Sequence, residues 1–232
     1  MGQEFSTRIK TLARWIYESR YPVFFTGAGI STESGMFDYR GPDGVWTRQE
    51  KGLPPKQMHK PLSQIEPNAG HYALVELQNL GKLRYLISQN VDNLHLKSGI
   101  KQEILAELHG NAFKMRCQNC GRKADKAMNL TRCMCDGNLL DSVVNFGQSL
   151  PRWELEQSFL HSRNSDLFVV LGSSLTVTPA ADMPHEALRN ASTLVIVNQD
   201  PTPFDSRAHL RFNEQVGEVM QRTVKQLKLL ST

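Results

Sequence analysis

The sequence predicts an α/β fold built on a parallel, doubly wound sheet that carries a small metal-held insert. Three observations carry that expectation. Short apolar, β-rich runs alternate with amphipathic helical stretches along the whole chain, the pattern of strands joined by helical crossovers. One run, Val23-Phe24-Phe25, leads through Thr26 directly into Gly27-Ala28-Gly29-Ile30-Ser31-Thr32. A strand, a small-residue turn and a helix start in that order make a Rossmann-like anion site. Finally, Cys117-x2-Cys120, twelve residues, then Cys133-x-Cys135 supply two close thiolate pairs. Four sulfurs so spaced can close a tetrahedral zinc site and leave no open position for water, so the site reads as structural.

Composition bounds the class. A chain of 232 residues can bury a core as one domain, or as one domain plus a small insert. It is 40% hydrophobic and 22% charged, which are globular values. The net charge of +4 suits anionic ligands. The basic residues are scattered, so direct nucleic-acid binding is not expected. No apolar run reaches the ~18 residues of a membrane span, so no membrane partner is expected. The N-terminus is polar and lacks a signal-peptide core, so an intracellular setting is expected, cytoplasmic or, in a eukaryotic host, nuclear, with the cysteines as thiolates and not disulfides.

Taken in order, Ile9, Leu12, Ala13 and Ile16 give the first helix its apolar stripe, with Ser6 or Thr7 as its cap, and it stops before Pro22. The strand at 23–25 follows. In the turn after it, Ser31 and Thr32 are placed to cap the next helix. The turn is only half of a G-x-G-x-x-G fingerprint, because Thr32 fills the third glycine position. An ordinary glycine turn is the alternative. Asp38 and Arg40, opposite charges a few residues on, favour a ligand pocket. Residues 41–67 read as a long loop anchored by Trp46. Asn68 opens a helix with Ala73, Leu74 and Leu77 on its buried face and Gly81 at its end.

Leu83–Ser88 is strand-like and delivers Gln89, Asn90, Val91 and Asp92 at its carboxyl end, where open α/β sheets hold their ligands. The competing reading has Asp92 merely capping the next helix. Ile104–Leu108 leads into His109-Gly110, which by itself fits a packed or surface histidine equally well. Residues 111–141 are too polar to fold without a metal, which contributes on the order of 10 kcal/mol in such modules. Val143–Gly147 reads as an extended edge. Ser149 and Pro151 start a helix in the N-cap and N1 manner. Leu167–Leu171 is a buried strand that runs into Gly172-Ser173-Ser174. Leu194–Val197 is another, running into Asn198-Gln199-Asp200. Val216, Val219, Met220, Val224 and Leu227 form the stripe of the last helix. The expected division is a large Rossmann-like domain over 1–40, 68–110 and 142–232, an insert at 41–67 and a zinc module at 111–141.

The set Gly27-Ala28-Gly29-Ile30-Ser31, Asp38-x-Arg40, Gln89-Asn90-Val91-Asp92, His109-Gly110, the four cysteines, Gly172-Ser173-Ser174 and Asn198 resembles the sirtuin family, in the family's order and over nearly the whole chain. Gly41-Pro42-Asp43-Gly44-Val45-Trp46-Thr47 and Glu107-Leu108-His109-Gly110-Asn111 look like the branch that holds mammalian sirtuins six and seven. The resemblance implies NAD-dependent removal of acyl groups from protein lysine, with NAD and Zn(2+) as cofactors and acylated lysine in proteins or peptides as substrate. It implies that Gly27, Ala28, Gly29 and Ser31 cradle the pyrophosphate. Gln89, Gly172, Ser173, Ser174, Asn198 and Gln199 hold the ribose and adenosine side, and Val216 offers its backbone to the adenine. Asp38, Tyr39, Arg40 and Trp46 belong to the cofactor loop. Asn90 and Asp92 form the nicotinamide pocket, and His109 is the general base. Val144, Phe146, Gly147, Leu175 and Val177 line the peptide strand.

Departures from the family pattern are Phe37 and Tyr39 in place of Pro and Phe, and Gln148 in place of Glu. No Tyr follows Gly44 to build a carboxylate-selective pair, so succinyl-lysine is not the expected substrate. Two other readings use the same residues: a mono-ADP-ribosyltransferase, and a catalytically idle NAD-sensing module.

Overall fold

The computed structural model describes residues 2–58 and 60–230. Met1, His59, Ser231 and Thr232, which fall within the ranges expected for the large domain and the 41–67 insert, lie outside the described residues. The main sheet is built from β1 (Pro22–Thr26), β2 (Tyr85–Ser88), β3 (Leu105–Glu107), β7 (Leu167–Leu171), β8 (Thr193–Val197) and β9 (Leu210–Phe212). The strands run in the order β3-β2-β1-β7-β8-β9, and every pair is parallel. Between them in sequence fall β4 (Lys114–Cys117), β5 (Lys123–Asp125) and β6 (Leu139–Asp141), a separate antiparallel sheet with β4 in the middle.

Parallel strands need crossovers, so both faces of the sheet are covered and the strands read as continuous apolar runs. β1 and β7 are buried at every position. Successive side chains go to opposite faces. Phe24 therefore packs with α1 (Gly2–Glu18), α3 (Ala69–Asn79) and α7 (Val216–Leu230), while Val23 and Phe25 pack towards α6 (Met183–Arg189) and Phe159 of α5 (Arg152–Asn164).

Several boundaries differ from the expectation. Ser6 and Thr7 lie inside α1, which begins at Gly2, so neither caps it. The segment after β1 is a seven-residue 3-10 helix, Ala28–Ser34, not an α-helix, and no side-chain cap bond forms at its start. Too short for a strong macrodipole, it leaves the turn to act through its backbone geometry. Residues 41–67 are not wholly loop, because α2 (Val45–Glu50) forms within them. α5 starts one residue later than expected, with Pro151 at the N-cap position. Asn68 does cap α3: its side-chain oxygen accepts the Gly70 N–H at 2.9 Å.

Candidate functional site

The strand order reverses direction between β1 and β7, which makes that crevice the topological switch point where open α/β sheets bind ligands. The turns after the two strands touch backbone to backbone. A Cβ on Gly27 would lie 2.7 Å from the Gly172 carbonyl oxygen, and one on Gly29 would lie 2.7 Å from the Gly172 Cα. The Gly29 N–H donates to the Gly172 carbonyl at 2.8 Å. Gly172 itself has φ +65°, the left-handed region that glycine tolerates best. These glycines therefore close the floor of the crevice, a role that the motif spacing alone does not reveal.

The polar residues after β2 converge on this floor. Asn90 Nδ2 donates to the Gly27 carbonyl at 3.1 Å and to Ser31 Oγ at 3.2 Å. The Ser31 hydroxyl donates to Asp92 Oδ2 at 2.7 Å. Asp92 Oδ1 accepts the N–H of Leu94, the first residue of α4 (Leu94–Ser98), at 2.9 Å, so Asp92 both steadies that helix and belongs to the site. Burial raises the Asp92 pKa, and the Leu94 N–H and Ser31 hydroxyl work against that rise. The Ser173 hydroxyl donates to Gln89 Oε1 at 2.7 Å and ties the two edges of the switch point together.

His109 follows β3. Its Nδ1 lies 2.8 Å from the Gln89 carbonyl oxygen. A carbonyl can only accept, so Nδ1 carries the proton and Nε2 presents a lone pair. Burial lowers the His109 pKa, and the bond to Gln89 works against that. The result is a neutral imidazole at pH 7 with a defined basic atom.

The mouth of the site is aromatic. The Trp46 ring centroid lies 5.0 Å from Tyr39 and 5.2 Å from Phe146, with the Arg40 guanidinium 4.5 Å above it. Trp46 thus joins the expected cofactor loop to the expected substrate segment. Arg40 also pairs with Glu50 at 3.3 Å. Asp38 packs against Gly41 and Gly44; burial raises its pKa, and the Gly41 N–H works against this. Val144 is held by its N–H to the His109 carbonyl at 2.9 Å, and Gly147 has φ +81° in the turn at 146–147. That segment is therefore not a strand of either sheet. Leu175 is buried with φ +53°, and Val177 is half-buried beside it.

On the far side, Asn198 Nδ2 donates to the Asp200 carbonyl at 2.8 Å, and Ser174 Oγ lies 2.9 Å from Thr176 Oγ1. Gln199 is exposed and Ala28 half-buried. Val216 is the buried first residue of α7. The next N–H, of Gly217, donates to Glu33 Oε1 at 2.7 Å. Sequence reasoning missed Glu33, and it took Asn68 for a cap only, although Asn68 Nδ2 also holds the Ile30 carbonyl at 2.7 Å. Both ties join residues far apart in the chain, and no local pattern signals them.

The four cysteine sulfurs lie within 4.8 Å of one another. Cys117 and Cys135 are 3.5 Å apart, and Cys120 and Cys133 are 3.6 Å apart. Zinc–sulfur bonds of ~2.3 Å give a tetrahedron with edges of about 3.8 Å, so the donor set fits zinc. A Cβ on Gly137 would lie 2.6 Å from the Cys117 sulfur, which explains a glycine at that place. The Cys120 N–H is foremost in drawing the Cys117 thiol below its ordinary value, while the neighbouring sulfurs push Cys120 up, the behaviour of close thiols that share protons where no cation holds them.

The strand order, the switch-point glycines and the thiolate cluster define a Rossmann-type α/β protein with a metal-fitting insert. The Sir2 family model matches residues 55–179, and the chain belongs to the Sir2 family. NAD-dependent protein deacetylase SRT1 of Oryza sativa subsp. indica is 39% identical over 96% of this chain and 48% of its own length. NAD-dependent protein deacetylase Sirt6 of Drosophila melanogaster is 35% identical over 95% of this chain and 75% of its own. A solved structure of Sir2 with a p53 peptide and NAD+ is 35% identical, with a TM-score of 0.74 over 93% of this chain and 97% of that one. The chain spans about half the length of the rice relative. Among the described residues no helix is long and apolar enough to cross a membrane.

Proposed function

We propose that the protein is an NAD-dependent protein lysine deacylase of the deacetylase kind. The observation that carries this reading is the tautomer of His109, fixed by the 2.8 Å bond from Nδ1 to the Gln89 carbonyl. It supports a general base at Nε2 beside a Rossmann-type switch point.

NAD, when bound, would supply an activated ribose C1′ to which the acyl oxygen bonds as nicotinamide leaves; one water is then consumed as the amine departs, giving free lysine and O-acyl-ADP-ribose. Gly27, Ala28, Gly29 and Ser31 would hold its pyrophosphate. Gln89, Gly172, Ser173, Ser174, Asn198, Gln199 and Val216 would hold its ribose and adenosine side, with Asp38, Tyr39, Arg40 and Trp46 closing over it. Asp92 keeps lone pairs that can accept from a carboxamide, while Asn90 anchors Ser31 and the Gly27 carbonyl. His109 Nε2 accepts a proton from a ribose hydroxyl. The acyl-lysine peptide would run beside Val144, Phe146, Gly147, Leu175 and Val177 through backbone bonds. Zinc would be held by Cys117, Cys120, Cys133 and Cys135 and would serve to fold the module at 111–141; residues 1–40, 68–110 and 142–232 would form the large domain, with the cofactor-loop insert at 41–67. A reducing compartment such as the cytoplasm suits four ligating thiolates.

Mass spectrometry after incubation with an acetyl-lysine peptide and NAD tests the reading. Deacylation produces O-acetyl-ADP-ribose and unmodified lysine. A heavier protein carrying ADP-ribose would mark a transferase instead, and neither product would mark an idle NAD-sensing module.

A further inference from the structure

A cluster of charges is buried outside the proposed site. Lys123, the first residue of β5, has its Nζ 3.0 Å from Glu107 Oε2 and 2.9 Å from Glu154 Oε1. The three side chains are 11%, 5% and 10% exposed. They come from the metal-fitting insert, from the end of β3 and from the first turn of α5. Burial works to lower the Lys123 pKa, but Glu107 and Glu154 together carry it above the ordinary lysine value, so the ammonium stays charged.

The cluster continues inward. The other Glu107 oxygen, Oε1, accepts from Asn111 Nδ2 at 2.5 Å. The same amide donates to Asn93 Oδ1 at 2.8 Å, and Asn111 Oδ1 accepts the Phe113 N–H at 2.9 Å. Asn111 is fully buried. Asn93 follows Asp92 directly and is held at φ +67°. The Gly110 N–H donates to the Glu107 carbonyl at 3.0 Å, and the Ala112 N–H donates to the Val91 carbonyl at 2.8 Å. His109 thus lies on a short turn gripped at both ends, by Glu107 and by Asn111. Asn111, at the start of the insert, is held from Ser142 as well, whose hydroxyl accepts the Asn111 N–H and donates to its carbonyl, each at 2.9 Å, while Lys123 supplies the cation that holds the Glu107 carboxylate.

We infer that Lys123 is a positioning residue: from the insert, it fixes the Glu107 carboxylate and, through Asn111 and Asn93, the relative placement of His109 and Asp92. The inference rests on the deacylase reading for its kinetic consequence, but its structural content stands apart from it. A tie that served only to dock the insert would not need to reach Asn93.

The test compares Lys123→Met, Lys123→Arg and the double variant Glu107→Gln/Lys123→Met with the unaltered protein. Lys123→Met leaves two buried carboxylates without a cation and is expected to lower Tm. The double variant removes one of them and is expected to recover much of that loss. Metal content, NAD affinity, kcat with an acetyl-lysine peptide, and the ring signals of His109 in histidine-labelled protein are recorded for each. Small displacements of a catalytic group cost about 10²-fold in rate. The expected result is a loss of that order in kcat for Lys123→Met, with the metal retained and NAD affinity within about threefold, alongside shifted His109 ring signals. In the double variant kcat stays low although Tm recovers, and Lys123→Arg restores most of the rate. Recovery of kcat in step with Tm in the double variant, or His109 signals unmoved in both Met variants, overturns the inference. If the unaltered protein shows no deacylation, the deacylase reading fails, while the His109 signals still decide the positioning role.

Discussion

His109 owes its proposed role to two opposing effects. Burial pushes its pKa down, and the bond to the Gln89 carbonyl pulls it partway back. The neutral form must be present for Nε2 to take a proton. Activity is therefore expected to fall as pH drops through the pKa of the folded protein, and that limb should lie below the ~6.5 of a free imidazole. A plot of kcat/KM against pH for the free enzyme checks this. Replacement by alanine removes the base but not the glycine floor, because Gly27, Gly29 and Gly172 close on one another without it. His109→Ala is expected to bind NAD normally and to lose roughly 10²-fold or more in deacylation. Normal NAD binding with a rate close to that of the unaltered protein would mean that another group is the base. Asp92 shows how little of such a site a residue's type reveals. Its position after a strand suggested either a cap or a ligand group, and it bonds both the Leu94 N–H and the Ser31 hydroxyl.

At the scale of elements, legibility followed the range of the interactions. β7 matched its expected bounds at Leu167 and Leu171 because an apolar run buried on both faces leaves no choice of period. The gathering of the four cysteines was legible because sulfur chemistry fixes the spacing of metal ligands. The segment at 28–34 was misread as the start of an α-helix because Ser and Thr signal a cap locally. Here the Ser31 hydroxyl is instead drawn to Asp92, sixty-one residues away. The Lys123 cluster was invisible for the same reason. The module's own prediction follows from its composition. Its three strands have three, three and four residues and bury little, so the metal must hold them together. One zinc per chain is expected, with Cys133→Ala losing it and residues 114–141 losing their amide protection, while β1, β2 and β7 keep theirs. Elemental analysis and hydrogen exchange read the two quantities. Freshly purified, active protein with almost no metal would sink this account.

The whole molecule carries a buried histidine pair whose effect appears only in its stability. His71 on α3 and His95 on α4 are almost completely buried, with ring centroids 5.0 Å apart. His71 Nδ1 accepts the Asn68 N–H at the start of α3, and His95 Nε2 lies 2.9 Å from Thr26 Oγ1 at the end of β1. Among the described residues, His71 Nε2 and His95 Nδ1 find no hydrogen-bond partner. Burial lowers the His71 pKa to about 4, and it lowers that of His95 well below the ordinary value, with His71 adding to the effect. The unfolded chain takes up these protons near pH 6.5 and the folded chain does not, so stability is greatest above that pH and falls as the medium is acidified. For His71 alone the loss is roughly 3 kcal/mol by pH 4. His161, lowered to about 4 chiefly by burial, acts in the same direction, while the raised pKa of Asp92 opposes it. Carboxylates held below the ordinary range, such as Asp166 and Asp205, contribute chiefly at lower pH, where their unfolded forms titrate. Acid also loosens a thiolate metal site, so the informative comparison is between two chains with the same cysteines. Chemical denaturation from pH 7.5 to 4.5 should show stability falling in the unaltered protein, and His71→Gln should fall less steeply by close to one proton. Equal slopes in the two chains would mean that His71 is protonated in the folded state, and the burial argument for the pair would be wrong.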